Sequence, residues 1–127
     1  MNSYVLDASA LLALIQNEPG AAEVSRQLPG AAMSTVNLSE SLARLRARGL
    51  NTQDAWARVA RLELMLVPFG TEQARLAADL FPLTRSAGAS FGDRACLALA
   101  QERGLPVLTA DRAWAALDLG IEIQVIR

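Results

Sequence analysis

The chain opens on an apolar triplet, Tyr4-Val5-Leu6, that runs directly into Asp7. Dense apolar positions over 8–16 predict a helix with Asp7 at its N-cap, and Pro19-Gly20 ends it. Residues 21–28 predict a short amphipathic helix closed by Pro29-Gly30. Residues 31–36 read as a buried strand, and a helix over 37–48 follows, stopped by Gly49. Thr52 is placed to cap a helix over 53–63, in which Trp56, Val59, Ala60 and Glu63 recur at helical spacing. A strand over 64–69 precedes a helical period over 71–85, with Ala74, Ala77, Ala78 and Phe81 on one face. After a loop over 86–89, Ser90 caps a helix that ends at Arg103, before Gly104. A strand over 105–109, a short helix over 111–119 and a strand over 121–126 complete the chain.

Strands alternate with helices almost throughout, which predicts an α/β fold with a mostly parallel sheet. The strands are near-continuous apolar runs, as expected where helices cover both sheet faces. The exception to the alternation is 37–48 followed by 53–63, a pair expected to project as a helical hairpin. No repeat, linker or low-complexity stretch divides the chain, so one domain over 1–127 is expected.

Composition narrows the chemistry. Of 127 residues, 52% are hydrophobic and 20% charged, with a net charge of −1, which favours a folded core over disorder. The longest apolar stretch, 10–15, is far below the roughly 18 residues of a membrane span. Uncharged Asn2 and Ser3 and the early Asp7 do not resemble a secretory leader, so a cytoplasmic location is expected. A single cysteine, Cys96, excludes an internal disulfide and a cysteine-rich zinc site. There is no histidine, and all 12 basic residues are arginine. Ser-His-Asp and Cys-His nucleophilic machinery, histidine-ligated zinc, Schiff-base lysine and a P-loop lysine are therefore excluded within this chain. So is a histidine acid/base pair acting on an RNA 2′-hydroxyl. Any chemistry at pH 7 must run on carboxylates, hydroxyls, one thiol, arginine and bound metal.

Four acids stand out by position. Asp7 follows the first strand, and Glu40 is expected in the first turn of the helix after the second. Asp93 sits in the first turn of the Ser90 helix, and Asp111 lies two residues past the strand over 105–109. In a parallel sheet all carboxyl ends share one edge, where binding crevices form, so distant acids can converge there. Converging carboxylates repel one another unless a cation joins them. Mg²⁺ or Mn²⁺ suits an all-oxygen site, and two such ions can clamp a phosphodiester. Each acid alone also fits an ordinary capping role. Asp7 and Asp111 suit N-caps, Ser90-x-x-Asp93 fits a capping box, and Asn37-x-x-Glu40 is close to one.

The motifs containing these acids resemble those of the PIN-domain ribonucleases, in particular the VapC-type toxins of bacterial toxin–antitoxin modules. Tyr4-Val5-Leu6-Asp7-Ala8-Ser9 is similar to the family's opening strand and first acid, and Ser34-Thr35-Val36-Asn37-Leu38-Ser39-Glu40 to its second motif. Ser90-Phe91-Gly92-Asp93-Arg94-Ala95-Cys96 resembles the third, and Val107-Leu108-Thr109-Ala110-Asp111 the fourth. The resemblance spans essentially the whole chain. It implies a PIN-like three-layer α/β/α sandwich with a central, mostly parallel sheet. It implies Mg²⁺- or Mn²⁺-dependent endonucleolytic cleavage of RNA, leaving a 5′-phosphate and a 3′-hydroxyl. Asp7 and Asp93 would be the most direct metal ligands, with Glu40 and Asp111 completing the pocket. Ser9 and Thr109 would orient carboxylates. An RNA substrate, a VapB-type antitoxin and a homodimer are the partners it implies.

Arg44, Arg46, Arg48, Arg58 and Arg61 cluster in the predicted hairpin, where they fit either phosphate contacts or a solvated face. Leu38, Leu42, Leu45, Trp56 and Val59 line the same hairpin, as core or as the groove that takes an antitoxin segment in the resembled toxins. Arg94 and Arg112, each directly after a candidate acid, fit either phosphate neutralisation or surface pairing. Cys96 reads as a small buried hydrophobe. Trp114 fits base stacking or the core. An aspartate-based phosphotransferase is a poor match, because position 9 is Ser9 where such enzymes place a second acid, and lysine is absent. A non-catalytic PIN-like binding module is the remaining alternative.

Overall fold

The computed structural model describes residues 3–127; Met1 and Asn2, and with them the Asn2 argument against a leader, lie outside the described residues. The strands are β1 (Val5–Leu6), β2 (Ala32–Ser34), β3 (Met65–Val67), β4 (Val107–Thr109) and β5 (Ile123–Val125). They form one sheet in the order β3-β2-β1-β4-β5, and every pair is parallel. The α-helices are α1 (Ala8–Ile15), α2 (Ala21–Arg26), α3 (Thr35–Ala47), α4 (Thr52–Ala60), α5 (Thr71–Asp79), α6 (Phe81–Thr84) and α7 (Phe91–Arg103).

The period-2 alternation of a strand explains the three layers. Val5, Ala32, Val67 and Val107 pack with Ala77, Leu80, Leu97 and Trp114 on the face covered by α5 and α7. Their neighbours Leu6, Met33 and Leu108 point the other way, into a second core with Leu11, Val24, Leu45, Ala55 and Val59 from α1 to α4. β1, β2 and β4 are buried along their whole length, as helices on both faces require. The expected α/β/α sandwich with a parallel sheet is the fold found.

Several local expectations change. The α3–α4 pair does not project: Leu45, Ala55 and Val59 are buried in the second core. α3 starts at Thr35, because the Ser34 hydroxyl accepts from the Val36 N–H. Glu40 therefore lies in the second turn, and Asn37-x-x-Glu40 is an intrahelical pair rather than a cap. Asn51, not Thr52, caps α4, accepting from the Asp54 N–H. The period over 71–85 is broken into α5, α6 and a 3-10 turn (Arg85–Ala87), with Pro82 near the start of α6. The segment after Asp111 is a 3-10 turn (Arg112–Ala116), not a longer helix. No helix among the described residues is long and apolar enough to cross a membrane.

Candidate active site

The strand order reverses at the sheet centre: β2 and β3 lie to one side of β1, and β4 and β5 to the other. Crevices form at the carboxyl ends of strands beside such a reversal. Asp7 leaves β1 there, and Thr109 and Asp111 leave β4. A cleft of about 310 Å³ opens at this place, lined by Asp7, Ala8, Ser9, Glu40, Arg44, Ser90, Asp93 and Asp111. All four acids singled out in the sequence line it.

Asp7 is the most enclosed, at 4% exposure. As N-cap of α1, its Oδ1 accepts from the Ala10 N–H at 2.8 Å and from the Ser9 hydroxyl at 2.7 Å. Its Oδ2 accepts from the Thr109 hydroxyl at 2.5 Å, across the β1–β4 pair. Ser9 also accepts from the Ala110 N–H, and Thr109 from the Asp111 N–H, so the hydroxyls knit Asp7 to the β4 exit. Burial pushes the Asp7 carboxyl up from 3.8 to about 6; the hydrogen bonds from Thr109, Ser9 and Ala10 pull it down, and the charge of Asp93 adds to the rise.

Asp93 closes a capping box on α7: the Ser90 hydroxyl accepts from the Asp93 N–H, and Asp93 Oδ2 accepts from the Ser90 N–H at 2.9 Å. Asp111 caps the following 3-10 turn through the Ala113 N–H. Glu40 accepts from the Asn37 side-chain amide at 2.8 Å, and the same amide donates to the Gly92 carbonyl at 2.9 Å. Asn37 and Gly92 were not singled out by sequence reasoning. Asn37-x-x-Glu40 at i,i+3 was the only signal for the first, and the sequence carries none for the second.

The arginine cluster is divided. Arg44 faces the acid cleft. Arg48 turns to Glu18 and Gln16. Arg58 and Arg61 line a separate groove of about 630 Å³ with Leu14, Ile15, Leu50, Asp54 and Leu62. Arg94 stacks over Phe81 and donates to the Ala89 carbonyl, while Arg112 donates to the Arg127 carbonyl. Trp114 is fully buried, so it packs the core rather than a base. Burial, then the charges of Asp7, Asp93 and Glu40, hold the Cys96 thiol well above its ordinary pKa, so it supplies no thiolate.

The ion pairs among the described residues join Glu18 and Glu23 to Arg26, Arg48 and Arg127, and none involves the four cleft acids. An all-oxygen, anionic donor set with no ion-pair partner fits a hard divalent cation. No three of these acids are already gathered into a ready-made metal-binding group among the described residues.

A family model for the PIN domain matches residues 4–119. The chain belongs to the PIN-domain family. Solved structures share the PIN fold across its length. The DNA-bound VapBC of Salmonella typhimurium matches with a TM-score of 0.78 at 21% identity over 100% of both chains. VapC20 of Mycobacterium tuberculosis, described as a Sarcin-Ricin loop cleaving toxin, matches at 0.72 and 18% identity over 94% of this chain and 99% of that one. VapBC-5 of the same organism is 29% identical over 100% and 99%, with a TM-score of 0.59. No curated protein is a significant sequence match.

Proposed function

We propose that this PIN domain is a Mg²⁺- or Mn²⁺-dependent endoribonuclease, the toxin of a toxin–antitoxin pair acting in the cytoplasm as a single domain. The observation that carries the reading is the convergence of Asp7, Glu40, Asp93 and Asp111 in one cleft, with no arginine paired to any of them. Convergent carboxylates without a cation cost stability, so their gathering at a strand-order reversal is better explained by an ion they hold than by capping alone.

In this reading Asp7 and Asp93 are the direct ligands, and Glu40 and Asp111 complete the pocket. Bound Mg²⁺ or Mn²⁺ supplies the Lewis acidity that activates water and steadies the leaving oxygen. The protein supplies placement. Thr109, Ser9 and the Ala10 N–H fix both oxygens of Asp7. The capping box fixes Asp93, and Arg44 offers a guanidinium to the substrate phosphate at the cleft wall. With no histidine present, attack by the 2′-hydroxyl through an imidazole pair is closed, and the resemblance to PIN-domain ribonucleases implies hydrolysis to a 5′-phosphate and a 3′-hydroxyl.

The likeness to VapBC complexes supports a VapB-type antitoxin as partner. The groove of Leu14, Ile15, Leu50 and Leu62 flanked by Arg58 and Arg61 suits an amphipathic segment with acidic residues. Exposed Phe81, Leu83 and Phe91 offer an apolar face for a homodimer.

One observation favours a non-catalytic PIN module: Asp7, Asp93 and Asp111 are all engaged as helix caps. One experiment separates the readings. Purified protein is incubated with total RNA in Mg²⁺, in Mn²⁺ and in EDTA, beside the Asp7→Asn variant. Discrete fragments that need metal and vanish in Asp7→Asn are expected. Intact RNA from folded protein that binds metal refutes the nuclease reading and leaves the binding module.

A further inference from the structure

Glu40 differs from the other cleft acids in how it is held. Among the described residues it caps no helix and pairs with no cation. Its place is set by two neighbours. From its own helix, the Asn37 amide donates one hydrogen to Glu40 Oε1 at 2.8 Å, and its second goes to the Gly92 carbonyl at 2.9 Å. Both amide hydrogens are thereby used in a bridge from α3 to the first turn of α7, one residue before Asp93. Asn37 is 1% exposed, so water does not compete for this bridge. From below, the Glu40 carboxylate lies over the bare Cα of Gly92. A Cβ there would stand 2.4 Å from Oε1 and 2.5 Å from both Cδ and Oε2. The three atoms nearest to that position all belong to the Glu40 carboxylate, and a helix gains nothing from glycine there.

We propose that Asn37 and Gly92 are positioning residues that set the Glu40 carboxylate against Asp93 for metal binding. The amide holds one oxygen, and the missing side chain provides the space. This rests on the metal-dependent reading of the cleft.

The two residues make opposite predictions for stability, which separates positioning from a merely structural role. Gly92→Ala meets only the far end of a flexible side chain, so Glu40 swings aside and the fold is spared. The melting temperature should hold or rise, since alanine favours a helix. Metal affinity should nevertheless fall. Asn37→Ala releases the same carboxylate but also cuts the α3–α7 bridge, so its melting temperature should drop.

The test titrates Mn²⁺ into wild type, Asn37→Ala, Gly92→Ala and Glu40→Ala, and into both double variants, by calorimetry at one pH. The dissociation constant should rise about tenfold or more in each positioning variant, the range seen when partners of metal ligands are removed. In the Glu40→Ala background either substitution should change it less than about twofold. Equal losses with and without Glu40, or wild-type affinity in Gly92→Ala, overturn the proposal. If Asn37→Ala does not fold, the Gly92→Ala pair decides alone. Wild type that binds no Mn²⁺ overturns the metal-site reading, and the positioning role falls with it.

Discussion

Replacing Asp7 by Asn should make the metal-free protein more stable at neutral pH while removing its activity. The buried carboxyl is raised from 3.8 to about 6, chiefly by desolvation. At about 1.4 kcal/mol per pH unit, that gap is worth about 3 kcal/mol. The folded state holds the proton more tightly than the unfolded chain. The carboxyl's contribution is therefore fully present below about pH 4 and lost as pH rises through about 6. Asparagine escapes the penalty, because its side chain never ionises. It retains an oxygen for Ser9 and Ala10 but presents an amide to Thr109, a mismatch costing about 1 kcal/mol. In EDTA at pH 7.5 the variant should therefore exceed wild type by about 2 kcal/mol, or roughly 5–10 °C in melting temperature for a chain of this size. Near pH 4.5, where the residual penalty is about 1 kcal/mol, the two should coincide. Saturating Mg²⁺ should close the gap at pH 7.5, since a ligand at about 100 times its Kd adds about 2.7 kcal/mol to wild type. Urea unfolding of both proteins at the two pH values measures all of this. A wild type more stable than Asp7→Asn in EDTA at pH 7.5, or a gap independent of pH, would refute the reasoning.

Arg44→Ala should weaken RNA binding in a salt-dependent way, lowering the slope of log affinity against log salt by about one phosphate contact, measured by filter binding with the Asp7→Asn protein. Trp114→Ala should destabilise by about 3–5 kcal/mol in urea unfolding, as for a buried aromatic. Trp114→Phe should cost much less, because the indole N–H has no hydrogen-bond partner to lose.

What the sequence made legible was local. α7 ends where expected because Ser90-x-x-Asp93 closes one end and Gly104, at φ 64°, the other. Asp7 and Asp111 were identifiable because each combines a strand exit with a cap, two signals within a few residues. Whatever depended on distant partners was not legible. The Asn37–Gly92 bond spans 55 positions, and no local rule connects a side-chain amide in one helix to a backbone carbonyl in another. Arg44 and Arg48 are equivalent by helical spacing, yet only the fold sends one to the acid cleft and the other to Glu18. The strand expected over 31–36 was too long because α3 begins at Thr35, where the Ser34 hydroxyl accepts from the Val36 N–H. The single helix expected over 71–85 is broken where the face of Ala74, Ala77, Ala78 and Phe81 ends and Pro82 withdraws a backbone donor.

β1 lies at the centre of the sheet, yet one of its two neighbours is β4, with Val5 beside Val107 and Leu6 beside Leu108. The carboxylate that follows β1 takes its shortest hydrogen bond from Thr109, 102 positions away. During synthesis Asp7 is therefore made 102 positions before the hydroxyl that clamps it. A nascent chain that has not released β4 has an opening strand with one flank bare and an Asp7 lacking its hydroxyl clamp. Closing so long a loop is slow and entropically costly. In this topology the assembly of the cleft is written into the order of the strands: it is completed only after β4 is free to pair with β1.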